Sequence, residues 1–174
     1  MGILNVEFKA ITNKLQELES LLQEHNPLFI GEDHQVDTYF NVFSGRLKLR
    51  EGNIENALIH YERVNIAGSK SSQVLLYRHL PGSDLKKMLI NALGIKAVVD
   101  KKRRIYFIDN VKFHFDRVKD IGTFVEVEAI DTDGVIGSKL LREQCDKYAA
   151  LFNIAASDYI AVSYSDMVIQ QQEE

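Results

Sequence analysis

Arg46-Leu47-Lys48-Leu49-Arg50-Glu51 alternates charged and apolar side chains without a break. Side chains on a β-strand point in turn to its two faces, so this stretch is a strand. Arg46, Lys48 and Arg50 share one face, and Leu47 and Leu49 share the other. The same period recurs far away in the chain. Residues 5–9 set Asn5, Glu7 and Lys9 against Val6 and Phe8. Residues 111–116 set Lys112, His114 and Asp116 against Val111, Phe113 and Phe115. Residues 124–128 set Glu126 and Glu128 against Val125 and Val127. The polar faces carry runs of like charge, basic on 46–50 and acidic on 126–128.

Outward from these strands, residues 36–43 are rich in β-branched and aromatic types and read as a strand, turned by Ser44-Gly45 into 46–51. Residues 57–64 and 73–80 are further strands, separated by a Gly/Ser loop over 68–72. Strands resume at 96–108, turn at Asp109-Asn110 into 111–118, and follow Gly122 as 123–131. Helical spacing appears at Ile11, Leu15, Leu18 and Leu22, up to Pro27. It appears again over Leu85, Met88, Leu89, Ala92 and Leu93, with Ser83 as N-cap and Gly94 as stop. Residues 136–152 form a third helix, with Cys145 on its apolar stripe. A short helix or loop with Tyr159 and Tyr164 precedes a tail that frays from about 170. Eight strands, mostly hairpin-connected, and three or four helices make an α+β fold on an antiparallel sheet. No linker divides the chain, so a single domain over 1–174 is expected.

With 174 residues, 45% hydrophobic and 26% charged, the composition is that of a globular protein and excludes a mainly disordered chain. No stretch approaches the ~20 apolar residues of a membrane helix. The N-terminal residues lack a secretory pattern, and the single cysteine, Cys145, permits no intrachain disulfide. A cytoplasmic setting is expected. A net charge of −4 disfavours general binding to nucleic acid or to anionic membrane. Lys and Arg nevertheless cluster at 46–50, 86–87 and 101–104, which fits a small anion better than a polyanion.

Like charges two residues apart on a strand repel, and they make sense when the face looks onto a counter-charged ligand. Basic and acidic faces on one lumen suit a metal–polyphosphate complex: Arg and Lys hold phosphate oxygens, and carboxylates hold Mg²⁺ or Mn²⁺. The apolar faces then point outward, beneath the helices. The same alternation is also compatible with a half-open sheet that has one wet face.

The ordered motifs resemble the CYTH-domain proteins of the triphosphate tunnel metalloenzyme superfamily, and most of all the class IV adenylyl cyclase branch. The resemblance rests on Asn5-x-Glu7-x-Lys9, the Asp37–Phe40 segment, Gly45–Glu51 and Tyr61-x-Arg63. It continues through Val99, Lys101, Arg103 and Tyr106, then His114-Phe115-Asp116, and Gly122, Phe124, Glu126 and Glu128. It implies a closed eight-stranded antiparallel β-barrel, a tunnel, with helices packed outside. It implies a triphosphate held by Lys9, Arg46, Lys48, Arg63, Lys101 and Arg103, with Arg50 further along the same face. It implies Mg²⁺ or Mn²⁺ on Glu7, Glu126 and Glu128, assisted by Asp116, and catalytic roles for Glu7, Lys9 and Arg103. The expected activity is conversion of ATP to cyclic AMP and pyrophosphate. The alternatives are hydrolysis of thiamine triphosphate, inorganic triphosphate or an RNA 5′ end, or a non-catalytic sensor of triphosphate or polyphosphate. ATP or thiamine triphosphate is the expected small-molecule partner, and a second copy of the chain is a further candidate. One departure stands out: the family's first glutamate is Asn5 here, which removes a negative charge from the metal side.

Overall fold

Strand β1 (Ile3–Ile11) leads into helix α1 (Leu15–Gln23) and strands β2 (Leu28–Phe40), β3 (Arg46–Glu51), β4 (Ala57–Glu62) and β5 (Lys70–Arg78). Helix α2 (Leu85–Leu93) precedes strands β6 (Ile95–Ile108), β7 (Val111–Val118) and β8 (Gly122–Asp131). Helix α3 (Ser138–Leu151), a 3-10 turn (Ala156–Asp158) and helix α4 (Tyr164–Glu173) follow. This computed structural model describes residues 3–62 and 67–173. Its eight strands close in the order β1-β5-β4-β3-β2-β6-β7-β8, with every pair antiparallel and β8 returning to β1. The expected closed barrel with outer helices is therefore the fold. Among the described residues no helix is long and apolar enough to cross a membrane.

Closure turns one face of every strand inward, because side chains alternate. The apolar faces look outward. Val6, Phe8 and Ala10 of β1, Phe113 and Phe115 of β7, and Val125 and Val127 of β8 are all buried in one cluster. Leu15, Leu18 and Leu22 of α1 and Leu141, Cys145 and Tyr148 of α3 cover them. Phe113 meets Tyr148 edge-on at 4.6 Å between centroids. Each large side chain buried this way contributes about 1.5–3 kcal/mol. A second cluster joins Tyr39, Val99, Val118 and Phe124 to Tyr164, Met167 and Val168 on α4.

Several boundaries differ from the sequence expectation. Ile11 fits the helical period but is the last residue of β1, paired with Phe124 of β8. Strand pairing overrides local spacing there. β2 begins at Leu28 rather than 36 and stops at Phe40. Its polar run Glu32-Asp33-His34-Gln35 hides the strand, which is fixed by pairing with Arg104 to Lys101 of β6. β5 begins at Lys70, inside the expected Gly/Ser loop, because Lys70, Ser71 and Ser72 pair with Glu7, Val6 and Asn5. The α2 cap position is Asp84 rather than Ser83, and its side chain makes no capping bond. The tail expected to fray from about 170 is helical to Glu173. Phe113→Ala is expected to lower the unfolding free energy by about 3–5 kcal/mol, through lost burial and a residual cavity, in a urea titration.

Candidate active site in the barrel lumen

The inward faces enclose a cavity of about 990 Å³. Its wall includes Asn5, Glu7 and Lys9 of β1, Lys48 and Arg50 of β3, Lys101 and Arg103 of β6, and Glu126 and Glu128 of β8. Lys112 and His114 of β7 complete the charged belt. The charged faces recognised on four separated strands thus meet in one lumen.

On the basic side, Asp37 of β2 is the organising anion. It is wholly buried. Arg50 donates to it twice, from Nε to Oδ1 and from Nη2 to Oδ2, both at 2.9 Å. Lys101 Nζ donates to Oδ2 at 2.8 Å, and Lys48 Nζ lies 3.2 Å from the same oxygen. Burial would raise the Asp37 pKa, but Arg50, Lys101 and Lys48 hold it well below the usual carboxylate range. One carboxylate serving three cations leaves Lys101 under-compensated. Burial first, and then the nearby Arg50, Arg103 and Lys48, push its ammonium below the ordinary lysine range.

Arg103 forms a second node. It donates to Asp116 from Nε at 2.7 Å and from Nη2 at 2.6 Å, and Nη2 also reaches Glu126 Oε2 at 2.9 Å. Tyr164 of α4 donates to Asp116 Oδ2 at 2.7 Å. Lys9 Nζ sits 3.8 Å from the Tyr164 ring centroid and 3.9 Å from Glu126 Oε1. Burial and the charge of Arg103 drive the His114 pKa down to about 3, so the ring is neutral near pH 7. Its Nδ1 contacts Glu126 Oε2 at 3.4 Å, and its buried Nε2 has no hydrogen-bond partner.

The acidic side behaves differently. Glu7 stands directly opposite Glu128 in the β1–β8 pairing. Burial, with the charges of Glu7, Glu126 and Glu55, pushes the Glu128 carboxyl up to about 7 against the pull of Lys112. Glu126, by contrast, is held well below its ordinary value, because Lys9, His114 and Arg103 outweigh its burial. Crowding of carboxylates without enough countercharge thus describes Glu128 and not Glu126. Asn5 Nδ2 donates to Glu128 Oε1, while the buried Asn5 Oδ1 has no partner. Among the described residues no three carboxylate, histidine or cysteine groups converge as a finished metal cage. Mg²⁺ and Mn²⁺ are hard cations that bind through one or two carboxylates plus substrate phosphates. The crowded Glu128, Glu7 across from it and the orphaned Asn5 oxygen fit such an ion.

Two residues named from the sequence sit away from the cavity. Asp116 does not line it: both its oxygens are taken, by Arg103 and by Tyr164, and it is wholly buried. Arg46 points to the end closed by α4. It donates to Asp166 Oδ2 at 3.0 Å and lines a separate space of about 90 Å³. Arg63 lies outside the described residues. Lys70, on β5, donates to the carbonyl of Ala161 at 2.7 Å. Elsewhere the wall is apolar, at Ile54, Ile59, Val74, Leu76, Phe107 and Ile130.

Sequence reasoning gave no role to Asp37, Glu55, Tyr164 or Asp166. No register signal existed for Asp37: a turn centred on Ser44-Gly45 would set it opposite Gly52, whereas the longer connection after Phe40 sets it opposite Arg50. Glu55, in a polar loop, carried none.

A family model, the CYTH domain, matches residues 4–162. The chain belongs to the CYTH family. A Methanocaldococcus jannaschii protein named "Putative adenylate cyclase" is 23% identical over 176 residues, covering 95% of this chain and 98% of that protein. Among solved structures, a conserved hypothetical protein from Pyrococcus furiosus superposes with a TM-score of 0.79 at 22% identity, covering 94% of this chain and 99% of its own. A Hippeastrum protein described as a "putative adenylyl cyclase" with a dominant triphosphatase activity superposes at 0.60 and 12% identity, over 100% of this chain and 97% of its own. These structures share the CYTH tunnel fold.

The raised Glu128 pKa makes a signed prediction. A carboxyl whose folded pKa is about 7 binds more protons folded than unfolded between its ordinary value of 4.5 and 7. Stability therefore falls as pH rises through that window. In EDTA, Glu128→Gln should be more stable than wild type at pH 8, by about 1–3 kcal/mol. The gap should close below pH 4.5. Chemical denaturation across pH 4 to 8 measures it.

Proposed function

We propose that this CYTH protein is an enzyme acting on a nucleoside or organic triphosphate held in the barrel lumen with Mg²⁺ or Mn²⁺. The reaction proposed is that of class IV adenylyl cyclases. The observation that carries this reading is the single cavity in which Lys9, Lys48, Arg50, Lys101 and Arg103 face Glu7, Glu126 and Glu128. Lys48 and Arg50, two residues apart on one strand face, stand ~6.5–7 Å apart, which suits neighbouring phosphoryl groups. A phosphate beside Lys101 supplies the negative charge that its shared carboxylate does not.

In the cyclase reaction the ribose 3′-hydroxyl of ATP attacks the α-phosphorus and releases its proton to water, the bond to the β-phosphate oxygen breaks, and pyrophosphate leaves with that electron pair. Lys9 and Arg103 neutralise charge at the reacting phosphorus, and Lys48, Arg50 and Lys101 hold the leaving pyrophosphate. Glu7 and Glu128, with the Asn5 oxygen beside them, would hold the cation, while Glu126 stays with Arg103 and Lys9. When bound, Mg²⁺ or Mn²⁺ lowers the pKa of the attacking hydroxyl and offsets phosphate charge. The second reading is hydrolysis, with water attacking the terminal phosphorus. The activity described for the Hippeastrum protein supports it.

The deciding experiment incubates the protein with ATP, thiamine triphosphate or tripolyphosphate plus Mg²⁺ or Mn²⁺ and identifies products by ³¹P NMR and chromatography. Cyclic AMP with pyrophosphate supports the cyclase, and orthophosphate without a cyclic product supports hydrolysis. No product from any of the three overturns the enzyme reading. Lys48→Ala should weaken tripolyphosphate binding about 10- to 150-fold in calorimetry, the equivalent of 1.5–3 kcal/mol. Millimolar Mn²⁺ should raise the thermal midpoint, gaining about 2.7 kcal/mol at a hundredfold excess over Kd. Asn5→Glu puts another carboxylate against Glu128. It should lower the midpoint in EDTA and enlarge the rise caused by Mn²⁺.

A further inference from the structure

Glu55 stands apart from the strand carboxylates of the lumen, because it comes from the loop between β3 and β4. The backbone of that loop is pinned. Ile54 N and Glu55 N donate to the two oxygens of Asp33, each at 2.9 Å. Gly52 N donates to Asn56 Oδ1 at 3.1 Å, and Asn56 Nδ2 returns a bond to Gly52 O at 2.8 Å. Gly52 is required for this closeness: a Cβ there would stand 2.6 Å from Asp33 Oδ1.

From this rigid base the Glu55 side chain enters the cavity. Its carboxylate accepts from Gln35 Nε2 at 3.0 Å, from Arg50 Nη1 at 2.9 Å, and from Lys112 Nζ. Those donors come from β2, β3 and β7, and β6 lies between β2 and β7 in the barrel. The carboxylate therefore bridges across the lumen. Both cations have other carboxylates: Arg50 is held by Asp37 through Nε and Nη2, and Lys112 faces Glu128 in the β7–β8 pairing. A carboxylate and a phosphoryl group offer Arg and Lys the same kind of acceptor oxygens. A quarter of the Glu55 side chain is exposed (25%), so the carboxylate borders open space while its backbone is pinned by Asp33.

We propose that Glu55 is a specificity-determining residue. In the free protein its carboxylate takes the place of a phosphoryl group on Arg50 and Lys112, and only a phosphate chain long enough to reach both displaces it. The inference rests on the triphosphate reading above. Lys9 and Lys101 lie against the Tyr164 ring of α4, 3.8 and 5.9 Å from its centroid, and a short anion seated on them and on Lys48 leaves Glu55 where it is. A longer chain extending past them to Arg50 and Lys112 competes with Glu55 directly. The residue thus sets the chain length at which binding engages the whole belt.

The test is calorimetric titration of the full chain and of Glu55→Gln, in EDTA, with inorganic tripolyphosphate and with pyrophosphate. Gln is isosteric and keeps an acceptor for Lys112 without the charge. The variant should bind tripolyphosphate at least fivefold more tightly, with pyrophosphate changed less than twofold. Glu55→Asp keeps the charge but is one methylene shorter, and should fall between the two. If the wild type binds tripolyphosphate and neither variant gains affinity, the inference falls and the triphosphate reading stands. An equal gain for both anions would reveal a general charge effect and also overturn it. Absence of tripolyphosphate binding to all three proteins would overturn the triphosphate reading together with this inference.

Discussion

Asp37 accepts from Arg50 and Lys101 and lies against Lys48, and the basic half of the lumen depends on that sharing. A charge taken out of water costs several kcal/mol unless it is paired and hydrogen-bonded. A closed barrel with charged side chains pointing inward meets this cost on every strand. Around Asp37 it is met by one carboxylate serving more than one cation. Around Arg103 the ratio is reversed, with Asp116 and Glu126 both accepting from one guanidinium. The guanidinium and ammonium groups are therefore fixed before any ligand arrives. Donors that need no reorganisation are what a site for a highly charged anion requires.

The compensation is uneven, and the unevenness has a direction. Lys101 is pushed down by burial first, and then by Arg50, Arg103 and Lys48 around the carboxylate it shares. Glu128 is pushed up by burial, with the charges of Glu7, Glu126 and Glu55 added, against the pull of Lys112. One wall lacks negative charge and the other lacks positive charge. A phosphate chain carrying a divalent cation would relieve both, which supports the proposed ligand class. The Asn5 amide moderates the acidic wall: it donates to Glu128 where a glutamate would repel it. The helix α4 shapes the opposite end. Tyr164 and Asp166 engage Asp116 and Arg46 there, so the C-terminal helix is part of the lumen's charge network as well as its cover.

The alternation at 46–51 and its repeats at 5–9, 111–116 and 124–128 were enough to assign strands and to sort each strand into a charged and an apolar face. The helices over the outer surface were legible from Leu15, Leu18 and Leu22 and from Leu141, Cys145 and Tyr148. These are local features: a period of two or of 3.6 residues is written into neighbouring positions. The polar half of β2 was not legible, because Glu32-Asp33-His34-Gln35 has no apolar partner face in the sequence and becomes a strand only by pairing with β6.

The sequence by itself determined the α+β class, the charged faces and the residue types that meet a phosphate or a hard cation. Tertiary structure alone decided which of those residues share a cavity. It turned Arg46 toward Asp166 and sealed Asp116 beneath Arg103 and Tyr164. It also carried Glu55 from a loop across to Lys112, 57 positions along the chain. The physical reason is range. Periodicity fixes which way a side chain points from its own strand, whereas the partner of a buried charge is set by barrel closure and strand register, which join residues far apart in sequence.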